Sequence, residues 1–140
     1  MNSVRQIIQK KGNEVATING NSTVKNAAVI MNERHIGALV VTEDQKAVGI
    51  FTERDILNRI VAQGQDPATT LVKDVMTTPM ACCRRDTSVE ECKTVMSQKR
   101  IRHLPVVEDG TLYGMISTGD ILANEVEAQQ ETIEYLHASR

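Results

Sequence analysis

The chain repeats itself, and that repeat limits its architecture more than any local preference does. Shifting the 140 residues by 65 lays Ala16 on Ala81, Val24 on Val89, Met31 on Met96, Ile36 on Ile101, Leu39 on Leu104 and Val41 on Val106. The same shift, without a gap, sets Glu43-Asp44 on Glu108-Asp109, Gly49 on Gly114 and Asp55-Ile56-Leu57 on Asp120-Ile121-Leu122. Chain order assigns residues 1–64 to a first unit with its N-terminal lead-in. Residues 65–140 form a second, with a linker lead-in and an extended C-terminal helix. The polar, Gly- and Pro-containing segment 62–70 joins them. A unit of about sixty residues has a marginal core alone, so the two sheets are expected to pack together about a pseudo-twofold axis, creating two related clefts.

Within each copy the apolar period alternates between that of a strand and that of a helix, which predicts an α+β chain of two tandem β-α-β-β-α units. A short apolar run opens each as a strand, Val15 to Ile18 or Met80 to Cys83. A helix follows, carrying Val24, Ala27, Ala28 and Met31 in one copy and Val89, Cys92 and Met96 in the other. Ser88 with Glu91 predicts a capping box at the latter. Two further apolar runs, 38–41 with 47–51 and 104–107 with 112–116, flank turn residues that include Asp109-Gly110, so each pair is expected to form a hairpin. A last helix starts near Thr52 or Ser117. The second of these reads as far as Ala138, with Leu122, Val126, Ile133 and Leu136 at near-heptad spacing. That stripe lies along its own domain or meets a second copy or partner.

Composition excludes several classes of function. With 2% aromatic residues the core must be aliphatic, and stacking platforms for bases are not expected. A net charge of −2 gives no broad basic field for wrapping nucleic acid, though it leaves room for a local cluster holding one phosphate. The N-terminus lacks a charged-then-apolar signal pattern and no stretch approaches a membrane span, so a cytoplasmic protein is expected. Cys82, Cys83 and Cys92 are then free thiols, read as small core residues or as a redox sensor. His35, His103 and His137 do not fall at metal-ligand spacing, and no metal is expected.

The sharpest local feature is the junction from last strand to last helix. It reads Gly49-Ile50-Phe51-Thr52-Glu53-Arg54-Asp55 and again Gly114-Met115-Ile116-Ser117-Thr118-Gly119-Asp120. One reading is a helix cap, a Thr or Ser at the N-cap with an acid three residues on, worth ~1 kcal/mol and needing no ligand. The other uses the same geometry for binding, because a helix N-terminus favours an anionic group and a carboxylate can accept from a sugar diol.

Units of this order, each ending in Gly, two apolar residues, Thr or Ser, two variable residues and Asp, resemble a pair of CBS (cystathionine β-synthase) motifs. The resemblance covers nearly the whole chain, including the lead-ins 4–9 (VRQIIQ) and 71–77 (LVKDVMT) and the strand 102–107 (RHLPVV). It implies a disc with two clefts that take adenosine compounds such as AMP, ADP, ATP, S-adenosylmethionine or NAD. By matching position Asp55 and Asp120 would hold ribose hydroxyls, Thr52 and Ser117 would touch ribose or phosphate, and Ile50 and Met115 would line the base pocket. The opposite copy's opening strand would complete each cleft: Pro79, Met80 and Ala81 at Asp55, Val15 and Ala16 at Asp120. Arg54 near the first elbow, and Arg102 with His103 near the second, would supply positive charge. Copy one departs from that pattern, with Gly37 and Ala38 where copy two has Arg102 and His103, which leaves it Arg54, Arg34 or His35. His103 is either a partly buried structural histidine or a ligand contact, and Arg34, Lys99, Arg100 and Arg102 are either such contacts or a solvated rim.

No nucleophile elbow, P-loop or metal cluster appears, so catalysis is not expected. Almost no residues lie outside the two copies, which predicts a free-standing regulator, a homodimer by resemblance, that binds an adenosine ligand and signals to a partner protein. The rivals are a constitutive dimerisation scaffold with vestigial clefts and a thiol-based sensor.

Overall fold

The computed structural model describes residues 3–129. Helix α1 (Val4–Lys11) precedes β1 (Thr17–Asn19), α2 (Val24–Arg34), β2 (Ala38–Glu43) and β3 (Lys46–Thr52). The short α3 (Glu53–Asp55) then runs directly into a π-helical stretch, Ile56–Val61. The second half repeats the plan with α4 (Val72–Val75), α5 (Val89–Lys99), β4 (His103–Glu108), β5 (Thr111–Ser117) and α6 (Thr118–Gln129). Of the predicted C-terminal stripe, Leu122 and Val126 lie on α6, while Ile133 and Leu136 lie outside the described residues. No helix among the described residues is long and apolar enough to cross a membrane.

In copy one β1 pairs in parallel with β2, and β2 pairs antiparallel with β3. Copy two forms the β4–β5 hairpin, but the strand expected over Met80 to Cys83 shrinks to a single parallel bridge between Cys83 and Val106. Proline explains the difference. In copy one the Val40 N–H donates to the Ala16 carbonyl (3.1 Å), whereas the matching position in β4 is Pro105, which has no N–H. Only the Cys83 N–H to the Pro105 carbonyl and the Val107 N–H to the Cys83 carbonyl (both 2.9 Å) remain. The turns match the predicted hairpins: Asp109-Gly110 has φ of 53° and 78°, and Asp44-Gln45 has 50° and 68°, a left-handed pair that twists with the strands. Helix α5 is capped by Ser88, whose hydroxyl oxygen accepts from the Glu91 N–H. The Glu91 carboxylate does not return to the Ser88 backbone as a capping box requires; it accepts from the Ser88 hydroxyl instead (3.1 Å).

Two apolar cores form, and each takes in the lead-in that precedes the other copy. Val4 and Ile7 of α1 are buried with Cys83, Val89, Cys92, Met96, Leu104, Val106, Ile116 and Ile121 of copy two. Val72 of α4 is buried with Ile18, Val24, Ala27, Met31, Leu39, Val41, Phe51 and Ile60 of copy one. Backbone bonds fix the exchange: Val4 N–H to the Thr87 carbonyl (3.0 Å), and Val72 N–H to the Ser22 carbonyl (2.9 Å). The lead-ins therefore repeat at 68 residues, Val4 with Val72 and Ile8 with Met76, not at the 65 of the motifs that follow. Both cross over the strand glycines. Ile8 sits against Gly114, and a Cβ added at Gly49 would come within 2.7 Å of the Met76 sulfur, so a side chain at either position would displace the lead-in residue over it.

Candidate functional site

The two elbow carboxylates start their helices as the sequence predicts, yet their surroundings differ. At Asp55 a reciprocal cap forms. The Thr52 N–H donates to Oδ2 (3.0 Å), the Thr52 hydroxyl lies 3.2 Å from the same oxygen, and the Asp55 N–H reaches back to Thr52 Oγ1 (3.2 Å). Oδ1 accepts from the Thr77 hydroxyl (3.0 Å) and faces Arg59 Nε (3.6 Å). Asp55 is buried, and it is the single charged residue in the core among the described residues. Arg59 also donates to the carbonyls of Val75 (3.2 Å) and Met76 (3.0 Å), so it ties the π-helical turn to α4. A buried carboxylate with its acceptors engaged this fully is a structural keystone.

Asp120 is half-buried and more lightly held. Its Oδ2 accepts from the Ser117 N–H (2.8 Å) and from Lys11 Nζ (2.6 Å), while the Asp120 N–H donates to Ser117 Oγ (3.0 Å). Lys11 also donates to the Met115 carbonyl (2.9 Å). Burial raises the Asp120 pKa, but the lysine and the Ser117 donors outweigh it and leave the acid below the usual carboxylate range. A recess of about 180 Å³ opens beside it, lined by Ile7, Lys10, Lys11, Asp120, Ala123 and Asn124.

His103 lies at the seam between the copies, half-buried. Burial pushes its pKa down; Glu53 and Asp120 pull it up, and Lys11 and Arg102 push it down. Residues of copy one, copy two and α1 therefore meet within electrostatic reach of this one imidazole. The neutral form is favoured, as for a histidine serving structure or accepting a hydrogen bond. Arg54 points to the same seam, its guanidinium donating to the Arg100 carbonyl. Arg102 is exposed. In copy one the Glu53 carboxylate lies over Gly37, where an added Cβ would come within 2.6 Å of Glu53 Oε1. At the matching positions copy two has Thr118 and Arg102, so one elbow presents an acid where the other presents a base.

Of the remaining predicted residues, Ile50 is buried and exchanges backbone hydrogen bonds with Thr77 (2.8 and 3.1 Å), while Met115, Val15, Ala16, Met80 and Ala81 are half-buried and Pro79 is exposed. The side chains that reach the two carboxylates from the other half of the chain are Thr77 and Lys11, which the sequence reading did not single out. No motif marks them. Thr77 closes the second lead-in and Lys11 ends α1, one a hydroxyl and the other a cation. The cysteines belong to the core of copy two: Cys83 and Cys92 are buried and Cys82 is exposed. A hydrogen bond shared with Cys92, and then burial, hold the Cys83 thiol protonated far above its ordinary range. Among the described residues no group of three His, Cys, Asp or Glu side chains is placed to hold a metal ion.

Comparison with known proteins agrees with this architecture. A family model described as the CBS domain matches residues 4–62 and again 72–127. The chain is 36% identical over 113 residues to the CBS domain-containing protein YhcV of Bacillus subtilis, covering 81% of this chain and 80% of that one. It is 37% identical to the mitochondrial CBS domain-containing protein CBSX3 of Arabidopsis thaliana, covering 83% of this chain but 59% of the plant protein. Among solved structures, a CBS-domain protein of Burkholderia ambifaria superposes with a TM-score of 0.87 at 36% identity, covering 94% of this chain and 99% of that one. A hexameric CBS-CP12 protein from bloom-forming cyanobacteria gives 0.78 at 32% identity, over 94% and 76% of the two chains.

Proposed function

Because this chain belongs to the CBS-domain family as a tandem pair, we propose that it works by binding, sensing an adenosine ligand at the seam between its copies and signalling its presence to a partner protein. Pairs of this family are commonly regulatory, and the Burkholderia neighbour has been ascribed a signal-transduction role. The observation that carries the reading is the half-buried Asp120 carboxylate. It stands at the start of α6 beside an open recess, and a lysine from the other half of the chain secures it. A ribose diol there replaces the lysine as the donor to Oδ2, so occupancy reaches α1 directly. That differential contact is what a ligand needs in order to bias one arrangement over another.

Asp55 offers a ligand far less, because a diol must compete with Thr77, Thr52 and Arg59 together. One adenosine site per chain, at Asp120, is therefore the expected stoichiometry. The test is thermal unfolding against AMP, ADP, ATP, S-adenosylmethionine and NAD. One of them should raise the midpoint, following RT ln(1 + [L]/Kd), and Asp120→Ala should abolish the rise. A flat response across the panel refutes the reading.

A second reading is favoured by one specific observation. Leu57 and Val61 are 60% and 67% exposed, and their 65-residue counterparts Leu122 and Val126 are 63% and 36% exposed. Matched apolar pairs on matched helices fit self-association of the disc, as a dimer or a larger ring, with the clefts secondary.

A further inference from the structure

Between α2 and the helical segment 53–61 of copy one lies an open cavity of about 430 Å³, within the roughly 300–1,000 Å³ that small-molecule sites occupy. The repeat accounts for it. In copy two the matching helices, α5 and α6, are bridged by Lys93 and Glu125 (2.8 Å). Shifted by 65 residues, those positions are Ala28 and Ile60, which cannot form a bridge. Ala28 instead joins Met31, Ile36 and Ile56 as the apolar wall of the cavity. Its polar groups are Asn32 and His35, from the C-terminal end of α2, and Glu53, the first residue of α3.

These polar groups favour a cation. Among the described residues the Glu53 carboxylate makes no hydrogen bond or ion pair. Gly37 stands where copy two has Arg102, and Glu53 Oε1 rests over that glycine with no cation to meet it. The C-terminus of α2, a helix of 11 residues, adds partial negative charge on the same side. Arg34 and Arg54 are close in sequence, but neither lines the cavity, and the Arg54 guanidinium is turned to the Arg100 carbonyl.

We propose that this groove binds a small primary amine with an apolar body, its ammonium paired with Glu53 and its hydrocarbon laid along Met31, Ile36 and Ile56. The site belongs to copy one alone and is independent of the Asp120 reading. Glu53 also lies within electrostatic reach of His103, so neutralising its charge is felt at the seam between the copies.

Amide chemical-shift titration of the full chain with hexylamine, hexanol and hexanoate, at constant ionic strength, tests this. Hexylamine should shift Ala28, Asn32 and Ile56 saturably and bind about fivefold tighter than hexanol, with hexanoate weaker still. Glu53→Gln should bring hexylamine to the level of hexanol. Ala28→Phe, checked for folding by circular dichroism, fills the groove and should abolish both; should it not fold, the Glu53→Gln comparison decides alone. Equal binding of the three probes, an amine preference that survives Glu53→Gln, or shifts that never saturate or fall elsewhere in the chain overturn the proposal. Each of those outcomes leaves the adenosine reading standing, because that reading is tested at Asp120.

Discussion

Asp55 and Asp120 hold equivalent places in the repeat, but the groups that surround them assign them different work. Removing the Asp55 carboxylate leaves the part-buried Thr77 hydroxyl and Thr52 N–H without their acceptor, and each lost partner costs about 1–3 kcal/mol. Asp120 is half-buried and its lysine partner is a third exposed, so its pair is worth about 1 kcal/mol or less. Urea unfolding should therefore find Asp55→Ala destabilised by several kcal/mol and Asp120→Ala by about 1–2 kcal/mol, the sum of its cap and its exposed pair. Equal losses would mean that the two acids are equally structural. A third carboxylate contributes pH dependence. Glu108 accepts two bonds from the Arg85 guanidinium and one from its backbone N–H (all 2.9 Å), and these hold its pKa down from 4.5 to about 2. A depressed acid stabilises the fold above its unfolded pKa and loses that contribution as protons arrive, so the benefit should fade as pH drops from 4.5 toward 2. The stability gap between the native chain and Glu108→Gln, measured by urea unfolding across that window, should close at its acid end.

Regular elements were legible where one periodicity ruled. The α2 and α5 stripes, the hairpins and the elbow caps all follow from local pattern, because each is decided within about ten residues. What escaped was decided at a distance. The apolar run Met80 to Cys83 looks as strand-like as Val15 to Ile18, and only the missing N–H of Pro105, on another strand, shortens it. The stretch after Asp55 reads as an ordinary α-helix. In the structure Ala62 N–H bonds to the Leu57 carbonyl and Gln65 N–H to Ile60 (both 2.9 Å), the wider π spacing, while Arg59 reaches across to α4. Asp55 and Asp120 were identified as a pair from the repeat, but Lys11 and Thr77 had no motif to announce them. The outward pairs Leu57/Val61 and Leu122/Val126 make their own prediction at this scale. Leu57→Glu with Leu122→Glu places charge on both matched patches and should shift the sedimentation coefficient toward the monomer. An unchanged coefficient would remove the self-association reading.

The exchange of lead-ins makes the two copies one molecule. Each half of the chain lends the other an apolar helix, so the core of copy two is incomplete without the N-terminal α1, and that of copy one without the α4 that leads into copy two. Val4 is fully buried in the core of copy two, though it is 100 residues before Leu104 in the chain; Val72 is fully buried in the core of copy one. A local view predicts that a mutation near the N-terminus loosens copy one. Packing predicts the reverse. Val4→Ala removes two buried methyl groups and leaves a cavity, costing about 2 kcal/mol. Its effect in hydrogen exchange should be faster opening of β4 and β5, with β2 and β3 nearly untouched. Val72→Ala should do the opposite, exposing β2 and β3 first. The same path would carry a ligand signal, since α1 holds both Val4 in that core and Lys11 against Asp120. Uniform loosening of all four strands by either variant would show that the copies unfold as a single cooperative block, and the crossed pattern would then have no separate dynamic meaning.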